Sequence, residues 1–242
     1  MGKALAACLR KRRDCSCGSK RKMRGGRILK ADYEIIDLST WNRGELFRFY
    51  IEKMRIVISL TVDVDVAPLL NYTKKNGMKF YPAMIWAVSS VINAHDEFRF
   101  GWDCDGNLIK WNFVSPSYAV FNEKDESFTK FVTEYCGNLR EFYDKSMADR
   151  EKHKERRSVL AEQSPNFFDV SCLPWVNYRH VDFHVFDEGK FLAPVVTWGK
   201  YEPDGEKVRM PLSMNIHHAV ADGYHVSRFF NEVQERIHSF ER

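Results

Sequence analysis

Residues 211–218 read Pro-Leu-Ser-Met-Asn-Ile-His-His, and their clean alternation constrains the fold more than any other stretch. Side chains on a strand point to opposite faces with period two. Leu212, Met214, Ile216 and His218 therefore share one face, and Ser213, Asn215 and His217 the other. His218 closes the apolar face where the chain leaves the sheet. A helix is predicted just beyond it, over residues 224–240, with Phe229, Phe230, Val233 and Ile237 at helical spacing. An imidazole held at the mouth of a buried layer is half sheltered and still able to meet a small molecule.

The rest of the chain supplies partners for that strand. Residues 56–64 are a β-branched run and predict a second strand. Further strands are predicted over 117–121, 128–133, 167–171, 176–185, 193–201 and 208–217. Asp105-Gly106-Asn107 and Pro203-Asp204-Gly205 mark hairpins. Helices are predicted over 41–54, 66–75, 81–94 and 139–162; Pro82 sits near the start of the third, where proline is tolerated. The fourth is highly charged and is expected to lie solvated on the outside. Helices beside a mostly antiparallel set of strands argue for an α/β fold, a two-layer sandwich with the helices on one side of a mixed sheet.

The 242 residues suit one sizeable core. The net charge of +4 hides an asymmetry: residues 1–30 hold 11 Lys/Arg against one acid, Asp14, for +10, and the remainder carries 26 basic and 32 acidic residues, for −6. The reading is a basic, disordered extension over 1–29 and a mildly acidic domain over 30–242. The overall charge is thus no sign of nucleic-acid binding, and any such contact falls to the extension. No stretch approaches a membrane span, and Leu9 is followed at once by Arg10-Lys11-Arg12-Arg13, so neither a membrane nor a secretory route is expected. The expected location is cytoplasmic. The six cysteines are scattered, and Cys15-Ser16-Cys17 has the wrong spacing for a zinc hairpin, so they read as reduced thiols.

The run His217-His218-Ala219-Val220-Ala221-Asp222-Gly223 concentrates the chemistry. An imidazole whose ordinary pKa lies near neutrality is a competent general base. Asp222 is placed to order the turn or pair with an arginine, and Gly223 permits a tight corner. On spacing alone the pair is also open to a purely structural reading, or to a metal site shared by His218, Asp222 and His225. No HExxH pattern or carboxylate cluster accompanies them, so no metal is expected.

This run resembles the active-site signature of the chloramphenicol acetyltransferases. Its looser HHxxxDG core is similar to that of other acyltransferases that use thioesters. Other segments resemble the family in order along the chain. Trp41–Tyr50 is similar to W-x-R-x-x-x-F-x-x-Y, Lys79-Phe80-Tyr81-Pro82 to K-F-Y-P, and Asn93–Arg99 to N-x-x-x-E-[FL]-R. Ser171–Tyr178 resembles S-A-x-P-W-V-x-F, and Ala193–Tyr201 resembles A-P-x-x-T-x-x-K-Y.

The resemblance implies the CoA-dependent acyltransferase fold and acetyl transfer from acetyl-CoA, as co-substrate, to a hydroxyl of chloramphenicol in a ternary complex, with no acyl-enzyme. His218 would be the base, Ser171 the donor to the oxyanion, and Thr197 the residue positioning a water. Asp222 and Arg43 would form a supporting ion pair. Tyr50 and Phe128 would line the acceptor pocket, Trp175 and Tyr178 the CoA side, and the enzyme would be a homotrimer with active sites between subunits. Ala221 replaces a common cysteine that is not the nucleophile, so the change is expected to be tolerated. On the acceptor side, residues 158–166 lack an F-P-x-G turn, and Ser117, Tyr118 and Ala119 differ from the family's pocket strand. Asp169 also stands two residues before Ser171, where the family often has asparagine or an apolar residue. These put the acceptor, not the chemistry, in question. The alternatives are the same transfer to another hydroxylated or amine acceptor, or a non-catalytic small-molecule-binding homologue.

Overall fold

The alternating segment becomes the longest strand of a seven-stranded sheet. The computed structural model describes residues 31–154, 164–185, 187 and 189–241. The basic extension, and the predicted helical residues 155–162, lie outside these. In chain order the elements are β1 (Tyr33–Ile35), α1 (Gly44–Glu52), β2 (Val57–Asp65), α2 (Ala67–Lys75), α3 (Phe80–Ala94), β3 (Phe100–Trp102), β4 (Leu108–Trp111), β5 (Ser115–Asn122), β6 (Ser127–Val132), α4 (Leu139–His153), β7 (Phe167–Leu173), β8 (Val195–Gly199), β9 (Glu202–Asp204), β10 (Lys207–His217) and α5 (Gly223–His238).

The main sheet runs β2-β10-β8-β7-β5-β6, with β9 also paired to β10. Its β8–β7 and β7–β5 pairs are parallel and the others antiparallel. A small sheet, β1-β4-β3, stands apart. The mixed α/β sandwich read from the sequence is therefore present. Leu212, Met214 and Ile216 join Val170, Val196 and Trp198 in the core, on the face that receives the helices. Helix α3 is buried all round from Pro82 to Ile92, as expected of an internal helix without a polar stripe. Helix α5 is amphipathic and buries Val226, Phe229, Phe230, Val233 and Ile237. Each such side chain contributes about 1.5–3 kcal/mol when fully removed from water. No helix among the described residues is long and apolar enough to cross a membrane.

Three expectations need correction. Residues 176–185 form no strand. Both sides of β8 are already taken, by β10 and β7, so the chain emerging from β7 does not pair beside it. It lies instead as a strap across the second face of the sheet, tied by side chains. Thr61 Oγ1 meets His180 Nδ1 at 3.1 Å, Tyr178 donates to the Thr197 carbonyl at 2.9 Å, and Asn215 bonds Asp182. The strap comes so close that a Cβ on Gly199 would meet the Val176 carbonyl oxygen at 2.8 Å. This is why β10 is buried on both faces and why Ser213, Asn215 and His217 are interior rather than solvated.

Helix α4 ends at His153 and is not merely a solvated rod, because Leu139, Phe142, Ser146 and His153 are buried. Helix α1 begins at Gly44 rather than Trp41. A Cβ at Gly44 would sit 2.0 Å from the Leu38 carbonyl oxygen, so the chain turns sharply there before the helix starts. Trp41 still packs into the core edge against Phe47 and Phe100.

Candidate active site

Three elements converge on His218: the end of β10, the corner 218–222, and helix α1. The motif around α1 now has a geometric reason. Arg43 precedes the helix and Phe47 and Tyr50 follow four and seven residues later, a spacing that places them on one face. Phe47 is buried in the core, and Tyr50 stacks on the His218 ring with centroids 4.1 Å apart and planes 19° from parallel.

Arg43 acts as a clamp. Its Nε donates to the Ala219 carbonyl at 2.8 Å, its Nη2 to the His218 carbonyl at 2.8 Å, and its Nη1 lies 3.1 Å from Asp222 Oδ2. The ion pair implied by the resemblance is thus formed, and it does more than pair charges. A planar fork of donors satisfies two corner carbonyls and a carboxylate at once, which a lysine ammonium cannot reproduce. Asp222 also caps α5: its Oδ1 accepts from the Tyr224 N–H at 3.1 Å, and its own N–H donates to His225 Nδ1 at 3.2 Å in a reciprocal capping box. His225 is thereby accounted for by helix capping. Among the described residues no three His, Cys, Asp or Glu side chains are grouped so as to hold a metal ion.

The tautomers follow from the acceptors. His218 Nδ1 lies 2.9 Å from the Ala221 carbonyl, which can only accept, so Nδ1 carries the proton and Nε2 presents a lone pair. The neighbouring His217 is the reverse. Its Nδ1 accepts from the Ala219 N–H at 3.0 Å, so Nε2 carries its proton. Burial, opposed by Asp187 and aided by His218, pushes the His217 pKa below its ordinary value and keeps the ring neutral. One histidine is therefore built into the sheet, and the other is half exposed with a free basic nitrogen.

At Asp222, burial works to raise the pKa, but His225, Arg43 and the Tyr224 N–H outweigh it and hold the carboxyl below its ordinary value. A folded-state pKa below the unfolded one gives stability that is present above the unfolded value and lost as pH falls through the folded one. The carboxylate is partly exposed and solvent-screened, so the effect is modest. Asp222→Asn is expected to lower Tm by about 1–4 °C at pH 7. The gap between variant and wild type should close as pH falls below about 4, which thermal melts across pH will check.

Ser171, Thr197 and Phe128 lie elsewhere. Strand register pairs Ser171 with Thr197 and Thr197 with Ser213. It also pairs Phe128 with Phe121. Followed across β5 and β7, these pairings put Phe128, Ser171, Thr197 and Ser213 on one face. Thr197 Oγ1 is fully buried and makes no hydrogen bond among the described residues. A hydroxyl relay runs beside it, with Thr61 Oγ1 2.7 Å from Ser213 Oγ and Ser213 Oγ donating to the Tyr178 oxygen at 3.1 Å. His218 is five residues beyond Ser213, which is roughly 17 Å along the strand. Within one chain, then, the base and the two hydroxyls do not meet.

A cavity of about 540 Å³ opens beside Trp175, walled by Phe121, Phe128, Cys172, Trp198 and Tyr201. Trp175 meets Phe121 and Phe128 edge-on, with centroids 5.0 and 6.3 Å apart. The residues expected on the acceptor side (Phe128) and the CoA side (Trp175) therefore share one space. Tyr178 does not line it; its hydroxyl is engaged in the relay. Sequence reasoning also missed Cys172, Tyr201 and Arg150, which line the cavity. Burial pushes the Cys172 thiol up to about 12, against a weaker opposing bond involving Trp198, so it is no thiolate nucleophile at neutral pH.

Comparison with known proteins settles the family. The profile described as chloramphenicol acetyltransferase matches residues 31–234. The chain belongs to the chloramphenicol acetyltransferase family. It is 36% identical to a chloramphenicol acetyltransferase of Clostridium perfringens over 211 residues, covering 86% of this chain and 96% of that one. It is 39% identical to one of Escherichia coli over 204 residues, covering 84% and 93% respectively. A solved chloramphenicol acetyltransferase superimposes with a TM-score of 0.77 at 21% identity, over 85% of this chain and all of that one, and shares the fold. Membership makes the protein an acyltransferase, of a family whose reaction is acetylation of chloramphenicol by acetyl-CoA.

Proposed function

We propose that this chain acetylates a hydroxyl of chloramphenicol with acetyl-CoA, using His218 Nε2 as the general base. The observation that carries the reading is the Nδ1 bond to the Ala221 carbonyl, which leaves Nε2 as the free basic atom at the end of the apolar strand face. Nε2 takes the proton of the acceptor hydroxyl as its oxygen attacks the thioester carbonyl. The Ser171 hydroxyl donates to the oxyanion that forms, and Thr197 Oγ1, buried without a partner among the described residues, holds a water beside it. Collapse breaks the carbon–sulfur bond, and the imidazolium returns its proton to the departing CoA sulfur. No covalent intermediate with the enzyme is needed.

The acyl donor enters through the cavity beside Trp175, whose aromatic walls suit a long, weakly polar arm. Phe128 faces the acceptor from the sheet face it shares with Ser171, and Tyr50 from its stack on His218. Tyr178 serves the site by fixing β8 through the Thr197 carbonyl.

The separation of roughly 17 Å along β10 supports an assembled site. His218 of one copy faces Ser171 and Thr197 of the next, and three copies close the ring by a repeated head-to-tail contact. The same chemistry on another acceptor remains the second reading, favoured by Lys130, which pairs with Asp169 two residues before Ser171. The test is release of CoA thiol from acetyl-CoA. Rapid release that depends on chloramphenicol is expected. Release with other hydroxylated acceptors alone would point to the second reading, and silence with every acceptor would end the enzymatic one.

A further inference from the structure

A second, basic cavity of about 280 Å³ lies between the β5–β6 hairpin and the end of α4, next to the Trp175 cavity; Arg150 lines both. Its charged lining is Lys124, Arg150, His153 and Lys154, and no carboxylate lines it among the described residues. Glu123, Asp125 and Glu126 share the turn with Lys124 but do not line the cavity. Lys154 also pairs with Glu151, which does not line the cavity.

Basic side chains in the last turn of a helix complement the helix dipole, and that alone would explain Arg150 and His153. Two facts go beyond it. Lys124 arrives from a different element, the hairpin turn, and converges on the same space. His153 is only 8% exposed, and its Nδ1 is buried without a hydrogen-bond partner among the described residues. Phe131 packs against its ring at 5.6 Å, with planes 33° apart, and holds the ring in place. A buried imidazole nitrogen without a partner is costly. A cluster of converging cations around it calls for an anion with several acceptor oxygens.

We propose that Lys124, Arg150, His153 and Lys154 form a binding site for a phosphate group. Arg150 presents a planar fork of donors suited to phosphate oxygens, and the lysines add charge around it. The phosphate comes from one of two sources. It is a phosphate of the acyl donor seated in the adjoining cavity, an assignment that rests on the proposed function, or it is a free phosphate held independently of it.

The test uses the full chain and inorganic phosphate as the probe, with binding measured by calorimetry at fixed ionic strength. Saturable binding of one phosphate per chain is expected, weakened about tenfold by Arg150→Gln and measurably by Lys124→Gln. Lys124 is exposed, so its substitution leaves folding intact and keeps the result interpretable. Repeating the titration with saturating CoA separates the sources. Loss of phosphate binding assigns the site to the donor, and persistence assigns it to a free anion; both support the site. Because the readout is binding, an inactive enzyme would not count against it. No saturable binding by the wild type, or equal binding by both variants, would overturn the proposal.

Discussion

His218→Ala is expected to slow chloramphenicol-dependent release of CoA by about 10²- to 10⁴-fold, with little change in Tm. The ring is half exposed, and its contacts are a stack with Tyr50 and one bond to a carbonyl of its own turn, so its removal leaves the core intact. The corner itself is held by Arg43, which grips the backbone carbonyls of 218 and 219 whatever side chain stands at 218. A substitution that removed only packing would raise KM without this collapse of kcat. His217→Ala should show the opposite pattern, since that neutral ring is built into the strand and bonded to the Ala219 N–H. The steady-state comparison of both variants, alongside their melts, separates chemistry from architecture.

Ser171→Ala should lower kcat by about 10²- to 10³-fold while KM for acetyl-CoA changes little. A hydroxyl donor aimed at a developing oxyanion stabilises charge that the ground-state thioester lacks, so its loss appears in kcat. Ser171 is paired in the sheet with Thr197, and strand pairing does not depend on its side chain. Cys172→Ser is the control on the neighbouring residue: a thiol held up to about 12 by burial contributes no nucleophile, so turnover should stay near wild type. A large loss at Cys172 with none at Ser171 would reverse the assignment.

Much of the scaffold was legible because its signals are local. Period two over residues 211–217 and the β-branched run at 56–64 required strands, and β10 and β2 pair along nearly their whole lengths. The positions of α3 and α5 followed from apolar spacing, and the glycine turns at 106 and 205 both adopt positive φ. The strap at 176–185 was not legible. Its residues suit a strand, and nothing local in them shows that β10 and β7 take both sides of β8. Nor could α4 be read as half buried, because the side chains covering it come from distant segments.

At the site, His218, Asp222 and Arg43 stood out through the resemblance rather than through any local rule. The sequence held no hint that Arg43 spends most of its donors on carbonyls, because backbone acceptors leave no mark on composition. The opposite tautomers of adjacent histidines likewise depend on which carbonyl and which N–H the corner presents. Arg150 and Cys172 belong to segments read only as helix and strand, and a cavity wall is a property of several elements at once.

The proposed site joins His218 of one copy to Ser171 and Thr197 of another. Co-expression of His218→Ala and Ser171→Ala chains tests this, with thiol release measured on the whole co-purified population of assemblies. Each variant alone should be nearly inactive. In mixed trimers, one interface receives an intact histidine from one chain and an intact serine from the other. Activity should then recover to about a quarter of the wild-type value for an equal mixture. Recovery near that level supports the shared site. Mixed assemblies as inactive as the separate variants would mean that each site draws His218 and Ser171 from one chain, contradicting the shared site.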